Sequence, residues 1–557
     1  MRRVIQGICC AIFFLATALA SVAQGGQADP WWRHAVFYEI YPRSFADSNE
    51  DGVGDLKGIT GKLDYLRDLG IDAIWITPCY PSPQFDFGYD VADYQNIDPM
   101  YGTLADFDDL AREAHKRGMR VVMDLVVNHS SHEHPWFLDS RSSRTSPKRD
   151  WYIWRDGRGP GLPPNNWQSD FGGSAWTYDA TTGQYYYHYF EAQQPDLNWR
   201  NPAVEKAMFD VTRFWRAHGV DGFRLDAVDT LFEDPALKDN PLLAGKNEFG
   251  DPQMKNLYND KLPEVHDELR KLRKVTDANG QVLIGETWTE NVDELKAYYG
   301  AQDDEIQLPM DFLFTTVNKL SAPEFRQQIA FAESAGWPVF VLSNHDIVRA
   351  YTRYGDGVQN EKIAKLLATM QLTLRGTPIL YYGDELGMET HPPARRQDVK
   401  DPLGMSGWPA QKGRDGERRP MQWSMEENAG FTHAIPWLPV DEGYKQHNVA
   451  VELADPHSIL NFYRALLKLR HTESALLEGD YLPLAVKEAH VLVYQRRART
   501  QTMMVLLNFS ATTEQAPSAD GRWKVVLSTA EGVARGSMQA GRMSLSPYAA
   551  VILQKVD

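Results

Sequence analysis

Four short segments set acidic side chains next to His or Arg directly after apolar runs: Asp124-Leu125-Val126-Val127-Asn128-His129, Gly222-Phe223-Arg224-Leu225-Asp226-Ala227, Ile284-Gly285-Glu286-Thr287 and Leu342-Ser343-Asn344-His345-Asp346. Burying several carboxylates together is costly unless chemistry needs them. On a strand, Arg224 and Asp226 point to the same side, where the guanidinium can keep the carboxylate ionised. A pair of carboxylates flanking a scissile bond is the arrangement of glycoside hydrolysis. A structural ion network is the bland alternative, but it gives no reason for acids to stand at the ends of successive strands. A second constellation, Asp47-Ser48-Asn49-Glu50-Asp51-Gly52-Val53-Gly54-Asp55, offers oxygen at alternate positions with Gly at the turn. It mimics the first part of an EF-hand loop. The twelfth position is Gly58, so it is not an EF-hand, and a solvated Gly/Asp turn is the plain alternative.

Positioning these groups requires strands. Apolar strands read at Val36–Tyr41, Ala73–Ile76, Val121–Leu125, Gly222–Leu225, Val282–Ile284, Ile306–Met310, Val339–Leu342 and Pro378–Tyr382. Helical patterns separate most of them, at Leu104–Arg117, Pro202–His218, Pro263–Thr276, Asp293–Tyr299, Glu324–Ala335 and Lys362–Leu374. Eight buried strands alternating with helices predict an α/β fold, a parallel (β/α)8 TIM barrel whose active site lies at the strands' C-terminal ends. Ser458–His471 then closes the barrel. Residues 129–201 break the repeat and are rich in Trp, Tyr, Gly and Pro, which marks a small domain inserted after the third strand. Alternating runs such as Val491–Tyr494 and Met503–Leu507 predict a C-terminal antiparallel β-sandwich over 477–557. The barrel takes 24–128 and 202–476.

Taken in order, the four acidic segments resemble the conserved regions of the α-amylase superfamily of retaining glycoside hydrolases. Gln194-Pro195-Asp196-Leu197-Asn198 resembles the extra region of its oligo-1,6-glucosidase and α-glucosidase subgroup, and Gly376-Thr377-Pro378 with Tyr382-Gly383-Asp384-Glu385 is similar to the strand-eight segment. The resemblance runs from about Trp31 to the C-terminus. It implies Asp226 as nucleophile, Glu286 as general acid and then base, and Asp346 as the third acid, gripping sugar hydroxyls. The two working carboxylates of a retaining enzyme stand about 5–5.5 Å apart. It further implies His129 and His345 on the first glucose and Tyr89 stacked on it, with Arg224 supporting the nucleophile. In related α-glucosidases an Asp–Arg pair blocks the sugar's non-reducing end; by resemblance this falls on Asp86 and Arg418, although Arg419 stands where the family usually has Thr. Phe171 is expected to line the pocket. The resemblance also implies a structural Ca2+ held by Asp47, Asn49, Asp51, the Val53 carbonyl and Asp55, and no organic cofactor. In this family Val after the nucleophile accompanies α-1,6 cleavage and Thr α-1,4 cleavage; Ala227 fits neither. The activity implied is an exo-acting α-glucosidase on disaccharides and short oligosaccharides, the alternative being a sucrose isomerase, trehalose synthase or other transglucosidase. A non-catalytic binding relative would have lost one of the three acids.

Composition agrees with an exported enzyme on small neutral sugars. The 557 residues are 43% hydrophobic and 24% charged, which excludes a disordered chain, and the net charge of −17 speaks against nucleic acid or an anionic membrane as partner. Arg2 and Arg3, the apolar run Ile8–Leu19 and the small residues Ser21-Val22-Ala23 form a signal-peptide pattern over 1–23, with cleavage expected after Ala23 and a periplasmic or secreted product that is membrane-free once mature. Cys9 and Cys10 leave with that segment, so the remaining Cys79 cannot form an internal disulfide.

Overall fold

The computed structural model describes residues 30–556, so the signal-peptide pattern lies outside the described residues. Eight parallel strands close a barrel: β1 (Phe37–Ile40), β2 (Ala73–Ile76), β3 (Arg120–Val126), β4 (Gly222–Asp226), β5 (Val282–Thr287), β6 (Leu308–Asp311), β7 (Val339–Val341) and β8 (Thr377–Tyr381). Each pairs with its sequence neighbours, and β1 closes on β8 through Phe37 opposite Ile379. A helix follows each strand: α1 (Leu63–Leu69), α2 (Leu104–Lys116), α3 (Pro202–Ala217), α4 (Glu264–Asn279), α5 (Val292–Tyr299), α6 (Ala322–Ala335), α7 (Asn360–Thr373) and α8 (Ile459–Thr472). Local chemistry starts them. Thr103 and Asp106 form a reciprocal capping box at α2, and Asn201 caps α3 ahead of Pro202.

Strand alternation divides the interior into two layers. Phe37, Trp75, Val122, Ile284, Leu308, Met310, Val339, Val341 and Ile379 point inward and fill the barrel axis. Their alternates, among them Tyr38, Ile74, Val121, Phe223, Leu283, Phe340 and Leu380, face the helices. Further along the same inward rows the residues turn polar: Glu39, Asp124, Arg224, Asp226 and Glu286. The apolar plug thus ends where the chemistry begins.

The segment between β3 and α3 carries a three-stranded antiparallel sheet of Trp154–Arg155, Trp176–Asp179 and Gln184–Tyr187, over its own aromatic core of Trp167, Trp176, Tyr185, Tyr187 and Tyr189. A hairpin of Leu242–Lys246 and Pro252–Met254 follows β4, where the sequence offered no alternation to mark it. At the C-terminus six strands from Asp480 to Val556 make one antiparallel sheet. Hydrogen bonding is continuous across the expected two layers because the strand Glu514–Ser528 pairs with both Met538–Leu545 and Ala550–Val556. Leu492, Tyr494, Val505, Leu507 and Ile552 face the barrel, while Val493, Leu506, Trp523 and Val551 cover the other side. Arg496 fastens the join, donating to the Thr373 carbonyl at 2.7 Å.

Candidate active site

β3, β4 and β5 lie in a register that sets Arg224 opposite Asp124. The fully buried Arg224 guanidinium donates through Nη1 to Asp124 Oδ1 at 2.9 Å and Asp226 Oδ1 at 2.6 Å, and through Nη2 to Glu286 Oε2 at 2.6 Å. One cation therefore gathers three carboxylates. Trp75 Nε1 and the Tyr89 hydroxyl both donate to Asp124 Oδ2 at 3.2 Å. Glu286 also accepts from the Ala227 N–H at 3.1 Å and from Trp288 Nε1 at 3.1 Å. Ala227 holds a left-handed backbone (φ 48°), which turns its N–H toward Glu286 directly after the strand. Burial pushes the Asp226 carboxyl well above the usual range, opposed by Arg224 and reinforced by Glu286 and Asp124. Burial likewise lifts Asp124 to about 6.

The opposite wall is built after β7. His345 Nδ1 hydrogen-bonds Glu39 Oε1 at 2.6 Å, and Nε2 meets the Tyr89 hydroxyl at 2.6 Å and Asp346 Oδ2 at 3.1 Å. The Tyr89 and His345 rings stack with centroids 5.4 Å apart. Asp346 Oδ1 accepts from Arg418 Nη2 at 2.7 Å and Arg414 Nη1 at 3.0 Å. Burial alone would raise Asp346; its neighbours His345, Arg414 and Arg418 outweigh burial and hold its carboxyl well below the usual range. His129 is driven down to about 3 by burial, so its imidazole is neutral at pH 7; burial also lowers His345.

Asp226, Glu286, Asp346, Asp86, Tyr89, His129 and Phe171 all line one cavity of about 370 Å3. Arg224 lies beneath it and His345 behind Tyr89. The pairing expected for Asp86 needs correction. Its partner is Arg414, whose Nη2 donates to Asp86 Oδ1 at 2.6 Å and to Asp401 Oδ1 at 2.7 Å. Arg418 instead donates through Nε to the His345 carbonyl at 2.8 Å and clamps Asp346. The two arginines are one helical turn apart in number but lie in irregular chain, so no periodicity distinguished their directions. Sequence reasoning also missed Glu39 and Trp288. Glu39 lies in an apolar strand, at an inward position one pleat beyond Phe37. Trp288 is half-exposed beside Glu286 and stacks on Phe312 at 4.5 Å.

These features meet in the comparisons with known proteins. The model of the α-amylase catalytic domain matches residues 39–479, and a domain of unknown function, DUF3459, matches 480–552. The chain belongs to the α-amylase family of glycoside hydrolases. It is 42% identical over 503 residues to a probable α-glucosidase of Rhizobium meliloti (strain 1021), covering 87% of this chain and 91% of the relative. An oligo-1,6-glucosidase of Heyndrickxia coagulans is 39% identical, covering 94% and 99%. Among solved structures, the trehalulose synthase MutB of Pseudomonas mesoacidophila MX-45 aligns with a TM-score of 0.88 at 39% identity, covering 95% of this chain and all of that one.

In the Asp47–Asp55 loop the acidic side chains fold back on the backbone. Asp47 Oδ1 accepts from Asn49 and Glu50 N–H, Asn49 Oδ1 from Asp51 N–H, and Asp51 Oδ1 from Val53 N–H. Asp55 binds Ser48 and caps the helix Leu56–Gly61 through the Gly58 N–H. Asp47, Asn49 and Asp51 each keep an unused lone pair, both Asp55 oxygens are already hydrogen-bonded, and the donor set is all oxygen, which fits a hard cation.

Proposed function

We propose that this α-amylase family member is an exo-acting, retaining α-glucosidase. The observation that carries this reading is Arg414 spanning Asp86 and Asp346 at the pocket wall opposite the Arg224-centred acids. A terminal glucose entering there meets charged walls instead of an open cleft, so cleavage proceeds one sugar at a time. Asp226 attacks C1 while the glycosidic bond breaks, and Glu286 gives its proton to the departing oxygen. Water then loses a proton to Glu286 and displaces the Asp226 ester, releasing α-glucose. One guanidinium faces three carboxylates there, so it cannot neutralise all of them. Asp170, Asp229 and Asp260 line the same cavity. They oppose anionic aglycones and suit neutral ones.

Proton NMR of the anomeric signal during hydrolysis of maltose, isomaltose, sucrose and trehalose tests this. α-Glucose forming first is expected. β-Glucose forming first would remove Asp226 from the nucleophile role. The likeness to a trehalulose synthase keeps a second reading, in which a sugar hydroxyl replaces water; new disaccharides in place of glucose would establish it.

We also propose a structural Ca2+ in the Asp47–Asp55 loop, supported by its oxygen donors. Elemental analysis should find about one Ca2+ per chain, and chelation should lower the melting temperature. We also propose export with cleavage after Ala23, supported by the N-terminal sequence pattern and checked by sequencing the N-terminus of the processed protein.

A further inference from the structure

Among the described residues, one set of three His, Asp or Glu ligand atoms lies within 4.8 Å of one another, and it is outside the active site: Glu389, His391 and Asp441. His391 Nε2 stands 3.1 Å from Glu389 Oε2 and 3.2 Å from Asp441 Oδ2. Two ligands about 2.0–2.1 Å from a tetrahedral zinc lie about 3.3–3.4 Å from each other, so these separations need little adjustment. Asp441 turns Oδ1 to the Gly443 N–H at 2.8 Å, which leaves Oδ2 for the group opposite. The trio borders a cavity of about 440 Å3 that is also lined by Gln422, Arg419 and His447. Gln422 is 1% exposed, yet its Oε1 has no hydrogen-bond partner. An unpartnered buried amide oxygen calls for a ligand.

We propose that Glu389, His391 and Asp441 form a site for a divalent transition-metal ion such as Zn2+, with the Gln422 amide as a further oxygen donor. Two carboxylates and one neutral imidazole balance the ion's charge, and the mixed nitrogen and oxygen set suits Zn2+ better than Ca2+. The site joins the start of the long β8–α8 connection to its end. Arg414 and Arg418 lie between, so the ion acts as a clip on the loop that builds the pocket wall. It is distinct from the Asp47–Asp55 loop, whose donors are all oxygen.

The test uses the full chain, stripped with chelator and returned to Ca2+-containing buffer. Titration with Co2+ should give one equivalent of a visible absorption band that Zn2+ displaces. Zn2+ should also slow proteolysis within residues 382–448. His391→Gln and Asp441→Asn should each abolish the band, with unchanged circular dichroism and unchanged maltose hydrolysis in the same Ca2+-containing buffer without transition metals. If the native chain gives no band, His391 is simply ion-paired to the two acids and the proposal fails. If the band survives in both variants, the ion lies elsewhere and the proposal fails equally.

Discussion

The two walls of the pocket treat the same functional group in opposite ways. On the β3–β5 side Arg224 serves Asp124, Asp226 and Glu286, and buried acids outnumber the cation. On the β7 side Asp346 receives two cations, Arg418 and Arg414, the second shared with Asp86 and Asp401. What differs is how many partners each carboxylate contacts: Asp226 has one shared arginine and is pushed up, while Asp346 has Arg414, Arg418 and His345 and is held down. On the proposed reading, the carboxylate that forms the covalent bond is thereby held above its usual range. One that must only grip hydroxyls is locked as an anion.

Removing the working acids should have the largest effect. Asp226→Asn should lower kcat by about 10^4-fold or more, as loss of a nucleophile does elsewhere. Glu286→Gln should do the same for maltose but much less for p-nitrophenyl α-glucoside, whose leaving group needs no proton. Steady-state kinetics on both substrates separates the roles, and equal losses would break the division of labour.

Arg414→Ala strikes the other wall. Asp86 loses its cation and Asp346 one of two. We expect kcat/KM for maltose to fall about 10²- to 10³-fold, with a shift of preference toward longer oligosaccharides. An unchanged chain-length profile would show that the Asp86–Arg414 pair does not block the pocket.

Asp124→Asn tests the charge ratio on the acid-rich wall. Asp124 raises the Asp226 carboxyl, so its neutralisation should lower that group. The proposed nucleophilic role requires Asp226 ionised. The acid limb of the kcat/KM profile should therefore move to lower pH, by up to about one unit. A shift to higher pH would reverse the sign of the argument.

Glu385 extends the comparison to a buried carboxyl with no cation partner. It accepts from the Tyr38 and Tyr65 hydroxyls, and burial raises it to about 7. Below about pH 4 both folded and unfolded states are protonated there. As pH rises toward 7 the unfolded state releases its proton first, and stability is lost. Glu385→Gln, which mimics the protonated form, should match the native melting temperature at pH 4 and exceed it by a few degrees at pH 8. The smallest effect expected is from Ala227→Val, a modest rise in the isomaltose-to-maltose rate ratio with some loss of stability from a β-branched residue in a left-handed position.

The barrel was legible because its strands are continuously apolar and its helices carry a 3.6-residue period. That the three acids would meet at one cavity was legible because Asp226 and Glu286 end their strands and Asp346 follows closely on its own. What escaped was carried by irregular chain or by burial. Arg414, Arg418 and Arg419 lie in a connection without repeat, and three-dimensional packing alone assigned Arg418 to Asp346 and Arg414 to Asp86. Glu39 interrupts a strand that reads as core, since a buried acid has no periodic signature. The sandwich resolved into one sheet because a strand's two ends can find different partners, a choice made by register and not by alternation.

Arg414 and Arg418 belong to the β8–α8 connection, which contributes nothing to the barrel's strand ladder. The parts of the molecule that decide how a sugar fits can therefore drift, lengthen or be exchanged while the eightfold frame and its chemistry persist. A lineage carrying this architecture can change its diet by rewriting one loop.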